Sequence, residues 1–278
     1  MSAAVEARAN LDLGFASDAA GITRLSRRYA RYPWSLTRPF WIDRAPSGMA
    51  SLIPQSSSGL LLPGDRFRQS IALEAEAAAH VTSQGAQVIH GTPGGAASLS
   101  NWALSLARDS YLELVLDPVI LFPYSGLEQS FSVTLEAGAI LILSDGMTWH
   151  PEASSPAFSR FTSALELRDG SRRLRVRERG RQTPAQLKSL EAASGRMPCA
   201  SGQLWLLFGS SSPSDIALPA VERADVYAAS SRLPDDAGIL LRFLSYDPTA
   251  FAAYQRDLWR SIRQSLFGAL PTDRRKGG

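Results

Sequence analysis

The chain has 278 residues, 45% of them hydrophobic and 20% charged, and a net charge of +3. That length suits one large β-rich domain or two ordinary ones, and the composition is globular rather than disordered or fibrous. A single cysteine, Cys199, excludes a disulfide framework and a thiolate metal cluster and fits a reducing compartment.

The opening stretch MSAAVEARANLDLGF mixes acids into a short apolar pattern and reads as neither a signal peptide nor a membrane span. No later apolar run approaches the ~20 residues a spanning helix needs. A cytoplasmic protein without a membrane partner is expected. It reads as one domain over residues 1–278, with 1–10 and 271–278 as flexible ends. Leu11, Leu13 and Phe15 then begin a run of alternating segments. Pro63-Gly64 marks a turn before Asp65. IALEAEAAAHV continues the alternation through Ile71, Leu73, Ala75, Ala77, Ala79 and Val81. HGTPGGAAS, from His90, is glycine-rich but lacks the G-K-[ST] ending of a phosphate-binding loop and reads as a mobile turn.

LELVLDPVILFPYS, residues 112–125, is less regular. Leu112, Leu114, Leu116, Ile120 and Phe122 are spaced as on one strand face, yet Glu113, Asp117, Pro118 and Pro123 interrupt it. Proline cannot donate to a ladder, and acids in an apolar run must be paired, hydrated or used. FSVTLEAGAILIL alternates again and runs directly into Asp145. Glu152 lies beyond, near His150. In RRLRVRERGR, the residues Arg173, Arg175, Arg177, Arg179 and Arg181 share one parity, so a continuous strand places all five on one face. Such an array needs solvent or an anionic partner to screen it.

Two segments carry helix signals. TPAQLKSLEAASG has Thr183 as N-cap, Pro184 at the first helical position, Gln186 completing a capping box and Gly195 as the stop. DPTAFAAYQRDLWRSIRQSLFG has Asp247 as cap, Pro248 first and Gly268 as the stop. Phe251, Leu258, Trp259, Ile262, Leu266 and Phe267 line one face of it. GQLWLLFGS, DVYAASSRL and ILLRFLS read as further strands between the helices.

Four segments share a form, an alternating run, a short polar or small break, then alternation again. Their key leucines, Leu73, Leu106, Leu135 and Leu167, are spaced by 33, 29 and 32 residues. A period near 30 predicts a mainly β fold of stacked, β-helix-like layers with two α-helices, although a Greek-key sandwich would also space its strands regularly. Familiar chemistry is missing. His80, His90 and His150 are scattered, with no H-x-x-x-H or C-x-x-C for zinc, and no G-x-S-x-G provides a nucleophile elbow. Asp65, Glu113, Asp117 and Asp145 could line a polar passage, since buried charges require water, partners or an ion.

The order of these segments resembles the UreD (UreH) family of urease accessory proteins. GITRLSRRYARYPWSLTRPFW, with Pro33, Arg38, Pro39 and Phe40, is similar to the family's opening motif. LLLPGDRF keeps Gly64 and Asp65 of a G-G-D motif, and HVTSQGAQVIH is similar to the family's T-T-P-x-x-x-K-x-Y-R stretch. LELVLDPVILFPYS keeps Leu112, Glu113, Ile120, Leu121 and Phe122 of the family's L-E-W-L-P-Q-E-x-I-L-F. LEAGAILILSD places Asp145 at the acid following an L-x-x-G-A segment, and DLWRSIRQSLFG is similar to the closing helix. Departures include IPQSSSG for a His-Pro-Pro-Gly-Gly stretch, Leu-Asp-Pro for Pro-Gln-Glu and His150-Pro151 for Gly-Arg.

The resemblance implies a β-helix-like stack and a non-enzymatic role: binding apo-urease, recruiting UreF and through it the GTPase UreG, and delivering nickel through a tunnel. No permanent cofactor is expected, only transient Ni²⁺ held weakly at the passage acids. The arginines from Arg173 to Arg181 and Trp259 are the expected partner contacts, and nucleic acid is not. Two alternatives stand beside this reading. One is a β-solenoid carbohydrate enzyme with paired carboxylates. The other is a nucleic-acid-binding module built on the arginine strand.

Overall fold

The computed structural model describes residues 9–149, 157–210 and 223–272. In chain order, β1 (Leu11–Ser17), β2 (Thr23–Ala30), β3 (Trp34–Leu36), β4 (Ala50–Leu52), β5 (Pro54–Ser56) and β6 (Leu60–Leu61) come first. β7 (Arg66–Leu73), β8 (Ala78–Thr82), β9 (Val88–Ile89), β10 (Ser98–Leu106), β11 (Tyr111–Val115) and β12 (Val119–Leu121) follow. β13 (Gly126–Leu135), β14 (Ile140–Trp149), β15 (Arg160–Asp169) and β16 (Leu174–Gln182) lead to α1 (Pro184–Ser194). β17 (Ala200–Phe208), β18 (Val226–Arg232), β19 (Gly238–Ser245) and α2 (Pro248–Phe267) complete the described elements. The expected flexible ends, 1–10 and 271–278, lie almost wholly outside the described residues, as do His150 and Glu152.

The strands stack as the repeat predicts. One sheet runs β16-β15-β13-β10-β7-β1-β2 and the other β18-β19-β17-β14-β11-β8-β4, while β6, β9 and β12 form a short third ladder joined to β14. Successive coils, β7-β8-β9, β10-β11-β12 and β13-β14, lie parallel on one another. The flanking strands β2 and β16, and later β17, β19 and β18, are antiparallel additions at the ends of the stack. Leu73, Leu106 and Leu135 are direct ladder partners. Leu167 sits opposite Val133, two places from strict register. A slip of two keeps the same sheet face, so Leu13, Ile71, Leu104, Val133, Leu167 and Val176 still form one buried column between the sheets.

The short break is a tight turn between the two sheets in the first three repeats, whereas in the fourth, after Leu167, it is a hairpin joining β15 to β16 within one sheet. Ala77, Ser110 and Ala139 donate backbone N–H bonds to Glu74, Ala107 and Glu136, at 3.2, 3.2 and 3.1 Å. The residue before each donor is left-handed: Glu76 at φ 61°, Asp109 at φ 58° and Gly138 at φ 74°. The turns also bond to one another along the stack, Glu76 N–H to Arg108 O and Asp109 N–H to Ala137 O, both 3.0 Å. Gly138 takes the left-handed position without the strain that Glu76 and Asp109 bear in the equivalent turns, and leaves room for the Asp109 carboxylate beside it.

The interrupted stretch 112–125 is two strands with a corner between them. β11 ends at Val115 and β12 begins at Val119, so Asp117 and Pro118 turn the chain from one ladder to the next. Pro123 lies in the turn leading to β13. Neither proline occupies a ladder position, which removes the conflict the sequence poses.

Both helices start and stop where their signals place them. Thr183 and Gln186 form the reciprocal capping box of α1, and Gly195 closes it in the left-handed region. Asp247 accepts from Ala250 N–H at 2.7 Å to cap α2, and Gly268 ends it at φ 66°. Phe251, Tyr254, Leu258, Trp259 and Ile262 of α2 pack with Tyr111, Ile142, Leu206 and Phe243 on the face of the larger sheet that points away from the first sheet. Leu258 is fully buried there. Leu258→Ala is expected to destabilise the chain by about 2–5 kcal/mol through lost burial and the cavity left behind, measured by denaturant titration.

Candidate functional site

Along β14 the residues facing the first sheet are Leu141, Leu143 and then Asp145. The first two join the apolar core between the sheets. At the next step the facing column of the first sheet is polar, with Ser100, Gln129 and Ser163 in register behind Phe67. Asp145 is buried at 3% exposure and meets this column. Gln129 Nε2 donates to its Oδ1 at 2.7 Å, and Gln203 Nε2 to its Oδ2 at 3.1 Å. Gln203 also bonds Ser163 Oγ at 3.1 Å. Burial pushes the Asp145 carboxyl above its ordinary range, and the hydrogen bonds from Ser163, Gln203, Gly146 N–H and Gln129 offset this only in part.

Two cavities meet at Asp145 and Gly146. The first, about 440 Å³, is walled by Trp34, Ser83, Gln87, Asp117 and Gln129, from strands and corners that precede β14 in the stack. The second, about 500 Å³, is walled by Ser163, Gln182, Leu187, Gln203 and Phe243, from β15 onward. The side chains that meet Asp145 are amides and hydroxyls, which satisfy a buried carboxyl by hydrogen bonding without pairing it with a charge. Asp117 is set in the first cavity by a reciprocal pair: its N–H donates to Ser83 Oγ, and the Ser83 hydroxyl donates to its Oδ2, both at 2.8 Å.

The structure therefore brings two of the four passage acids, Asp117 and Asp145, to one cavity. Asp65 is elsewhere: its Oδ2 accepts from Leu62 N–H at 2.8 Å and closes the Pro63-Gly64 turn. Glu113 points to the opposite side of its strand, beneath α2, where it is fully buried. There its Oε2 is 2.6 Å from His80 Nδ1, and its Oε1 accepts from Tyr111 OH at 2.5 Å and lies 3.3 Å from Arg263 Nε. Arg263 also faces Asp43 at 3.3 Å and donates to Ala45 O, and Trp259 covers His80 with ring centroids 5.4 Å apart. Burial raises the Glu113 carboxyl, but the hydrogen bond and charge of His80, with Arg263 and the Tyr111 hydroxyl, outweigh it and hold it below its ordinary range. Tyr111 is pushed well up by burial and by the Glu113 charge.

Sequence reasoning missed His80, Arg263, Asp43, Gln129, Ser163 and Gln203. His80 and Glu113 did carry a signal: their separation matches the 33-residue repeat from Leu73 to Leu106, and they are direct ladder partners. Arg263 and Asp43 carried none, because docking of α2 brings them in from distant parts of the chain. Trp259 is only 8% exposed, so its ring serves packing in the isolated chain rather than a surface contact.

The arginine array is divided by a bulge at Leu167/Arg168, which corrects the expectation of one five-residue face. Arg173 pairs with Asp235 at 3.0 Å, and Arg175 donates to Asp235 O at 2.6 Å and Phe208 O at 3.0 Å. Arg177 pairs with Glu166 at 2.9 Å, with Arg179 and Arg181 at alternate positions beyond it. Among the described residues no group of three or more His, Cys, Asp or Glu side chains is placed to hold a metal ion.

The two buried acids should affect stability in opposite directions with pH. Asp145 has a raised folded pKa, so its contribution is present below 3.8 and lost as pH rises through the folded value. Glu113 has a lowered one, so its contribution is present above 4.5 and lost as pH falls through the folded value. Asp145→Asn should flatten the decline toward neutrality, and Glu113→Gln should flatten the acid limb, in melts taken across pH. Glu113→Ala should cost about 3–5 kcal/mol at neutral pH by leaving Arg263 and His80 without their buried partner.

Sequence comparison agrees with this architecture. Residues 7–277 match the family model described as UreD urease accessory protein. The chain is 33% identical to Urease accessory protein UreD 1 of Methylorubrum extorquens (strain PA1), covering 91% of this chain and 87% of that protein. It is also 33% identical to Urease accessory protein UreD 1 of Methylorubrum populi, covering 99% and 94%. Urease accessory protein UreD of Cenarchaeum symbiosum (strain A) is 29% identical over 89% of this chain and 88% of its own. A match over nearly the whole length, on a stack of β-layers closed by two capped helices, places this chain in the UreD family of urease accessory proteins.

Proposed function

We propose that the chain is a non-enzymatic scaffold of urease maturation. In this reading it binds apo-urease in the cytoplasm, recruits UreF and through it the GTPase UreG, and conducts nickel toward the urease active site. Family membership supports the maturation role. The observation that carries the conducting role is the meeting of two cavities at Asp145 and Gly146, one from each side of β14.

Nickel is cargo here, not a resident cofactor. Asp117 and Asp145 supply hard oxygen donors, with the Gln129 and Gln203 side-chain amides, whose Nε2 groups hydrogen-bond Asp145, and the Ser163 hydroxyl beside them. Such ligands leave a divalent ion partly hydrated and release it readily, whereas thiolates would retain it. A carboxyl with a raised pKa suits this transfer. An arriving cation favours its ionised form, and the proton returns when the ion leaves. In the proposed passage Glu113 and Asp65 take no direct part. Glu113 fixes α2 to the sheet, and Asp65 shapes a turn.

Asp117→Asn and Asp145→Asn, singly and together, should leave co-purification with apo-urease and the other accessory proteins intact. Nickel per active site in urease matured with them should fall several-fold, as measured by elemental analysis of the purified enzyme. Full nickel loading by the double variant would remove the passage and leave a docking scaffold.

A further inference from the structure

The two sheets differ in what covers their outer faces. α2 lies on the larger sheet, and Leu187 of α1 packs with Leu127 and Phe161 on the inward side of the first sheet. The outward face of the first sheet carries neither helix. Cross-strand rows run over it from β7 through β10, β13 and β15 to β16. One row is Arg66, Leu99, Glu128, Thr162 and Arg181, each the ladder partner of the next. The neighbouring row is Arg68, Asn101, Ser130, Ala164 and Arg179. Both rows begin and end with an arginine, and the strand spacing of about 4.8 Å puts the two ends roughly 19 Å apart. Between them lies an open hollow of about 620 Å³ over Leu99, Asn101, Ser130 and Ala164.

The acids of this floor are already matched. Glu128 pairs with Arg160 at 2.6 Å, and Glu166, on the next row, pairs with Arg177 at 2.9 Å. The Ser130 hydroxyl donates to Asn101 Oδ1 at 2.8 Å. By contrast, among the described residues no carboxylate pairs with Arg66, Arg179 or Arg181, and all three are exposed. The surplus positive charge therefore stands in two banks, one on β7 and one on β16, on either side of a lane of short or mutually satisfied groups. A lone surface arginine needs only solvent. Two banks held at a fixed spacing by one sheet favour a partner that presents negative charge at that same spacing.

We propose that this face is a docking trough for an α-helix of a protein partner that carries acids along both flanks. A helix with its side chains is about 10–12 Å across, so it fits between the banks and leaves each arginine room to reach it. Rows along a strand recur about every 6.8 Å and helical turns about every 5.4 Å, so roughly one acid per turn on each flank meets Arg66 on one side and Arg179 and Arg181 on the other. The ridge of the helix rests on Asn101, Ser130 and Ala164. A continuous polyanion fits less well, because it would also cross Glu128 and Glu166, and a nucleic-acid strand finds no aromatic platform on this floor. A second copy of this face brings arginine against arginine. The trough rests on the maturation role proposed above for the origin of the partner, and adds to it the chemistry of one contact.

The test uses the full-length chain co-expressed with the urease subunits and the accessory proteins encoded with them. A photo-crosslinking benzoylphenylalanine replaces Ala103 or Ser132, exposed positions on the same outward face, and the adduct is identified by mass spectrometry. The expected adduct is a segment of one co-purifying partner in which Asp or Glu recurs three or four residues apart. Arg66→Glu combined with Arg179→Glu should weaken capture of that same partner by about tenfold or more without shifting the melting temperature, because both side chains are exposed. Asp or Glu→Arg changes in the cross-linked segment should restore capture by the double variant. Four results would overturn the trough and leave the maturation role standing: a cross-linked segment without acids; partners that co-purify normally while adducts form only within this chain, with a second copy of it, or not at all; capture unchanged in the double variant; or labelled duplex DNA or RNA bound by the unmodified chain and released by the double variant. Absence of any co-purifying partner from the unmodified chain would overturn both.

Discussion

Everything in this fold depends on coils returning in register, and the tight turn between the two sheets enforces that return. Each turn closes in a few residues with a left-handed position, and the first two are each hydrogen-bonded to the turn of the next coil. Parallel strands cannot be joined by hairpins and need a longer connection. Here the connection is the rest of the coil, so turn, corner and third ladder are all needed to bring the chain back one layer further on. The apolar columns between the sheets follow from that register. They tolerate the two-residue slip at Leu167 because the pleat preserves the face.

The polar site at Asp145 is a local exception to those columns. Where the column holds Leu141 and Leu143 on one side and leucine or valine on the other, the interior is closed. One step along β14 the pattern changes to Asp145, met by Gln129, Ser163 and Gln203, and the packing opens into cavities on both sides. Amides and hydroxyls satisfy the carboxyl well enough to keep it buried, yet not well enough to hold it at its ordinary pKa. Among the described residues the neighbouring serines and glutamines are uncharged, and Asp145 and Asp117 are the acids that line the first cavity.

Glu113 shows how a similar carboxyl one coil away does different work. It faces the helix side of its sheet, where His80, Tyr111 and Arg263 converge on it and Asp43 balances Arg263 from the other side. Breaking such a set is costly because a charge is left buried without its partner, although the intact set need not add net stability over an apolar one. Its role is to specify where α2 sits. The same helix supplies the apolar stripe that covers the sheet, so position and adhesion come from different residues of one element.

The sequence by itself determined the layers, both helices with their caps, and the family. These rest on local or periodic signals: alternation at two residues, a repeat near 30, and capping residues a few positions from the turns they close. It also marked Asp117 and Asp145 as unusual, because an acid at the end of an apolar run is conspicuous in one dimension. It did not separate them from Asp65 and Glu113, since strand parity assigns a face but not what lies across from it. Five arginines of one parity likewise read as one surface until the bulge at Leu167/Arg168 divided them. Only the tertiary structure decided these points. The partners of Asp145 come from β13, β15 and β17, and those of Glu113 from β8, β11 and α2, with Asp43 meeting the far side of Arg263. Such contacts are set by how sheets and helix close on each other, and that closure leaves no periodic trace in the chain.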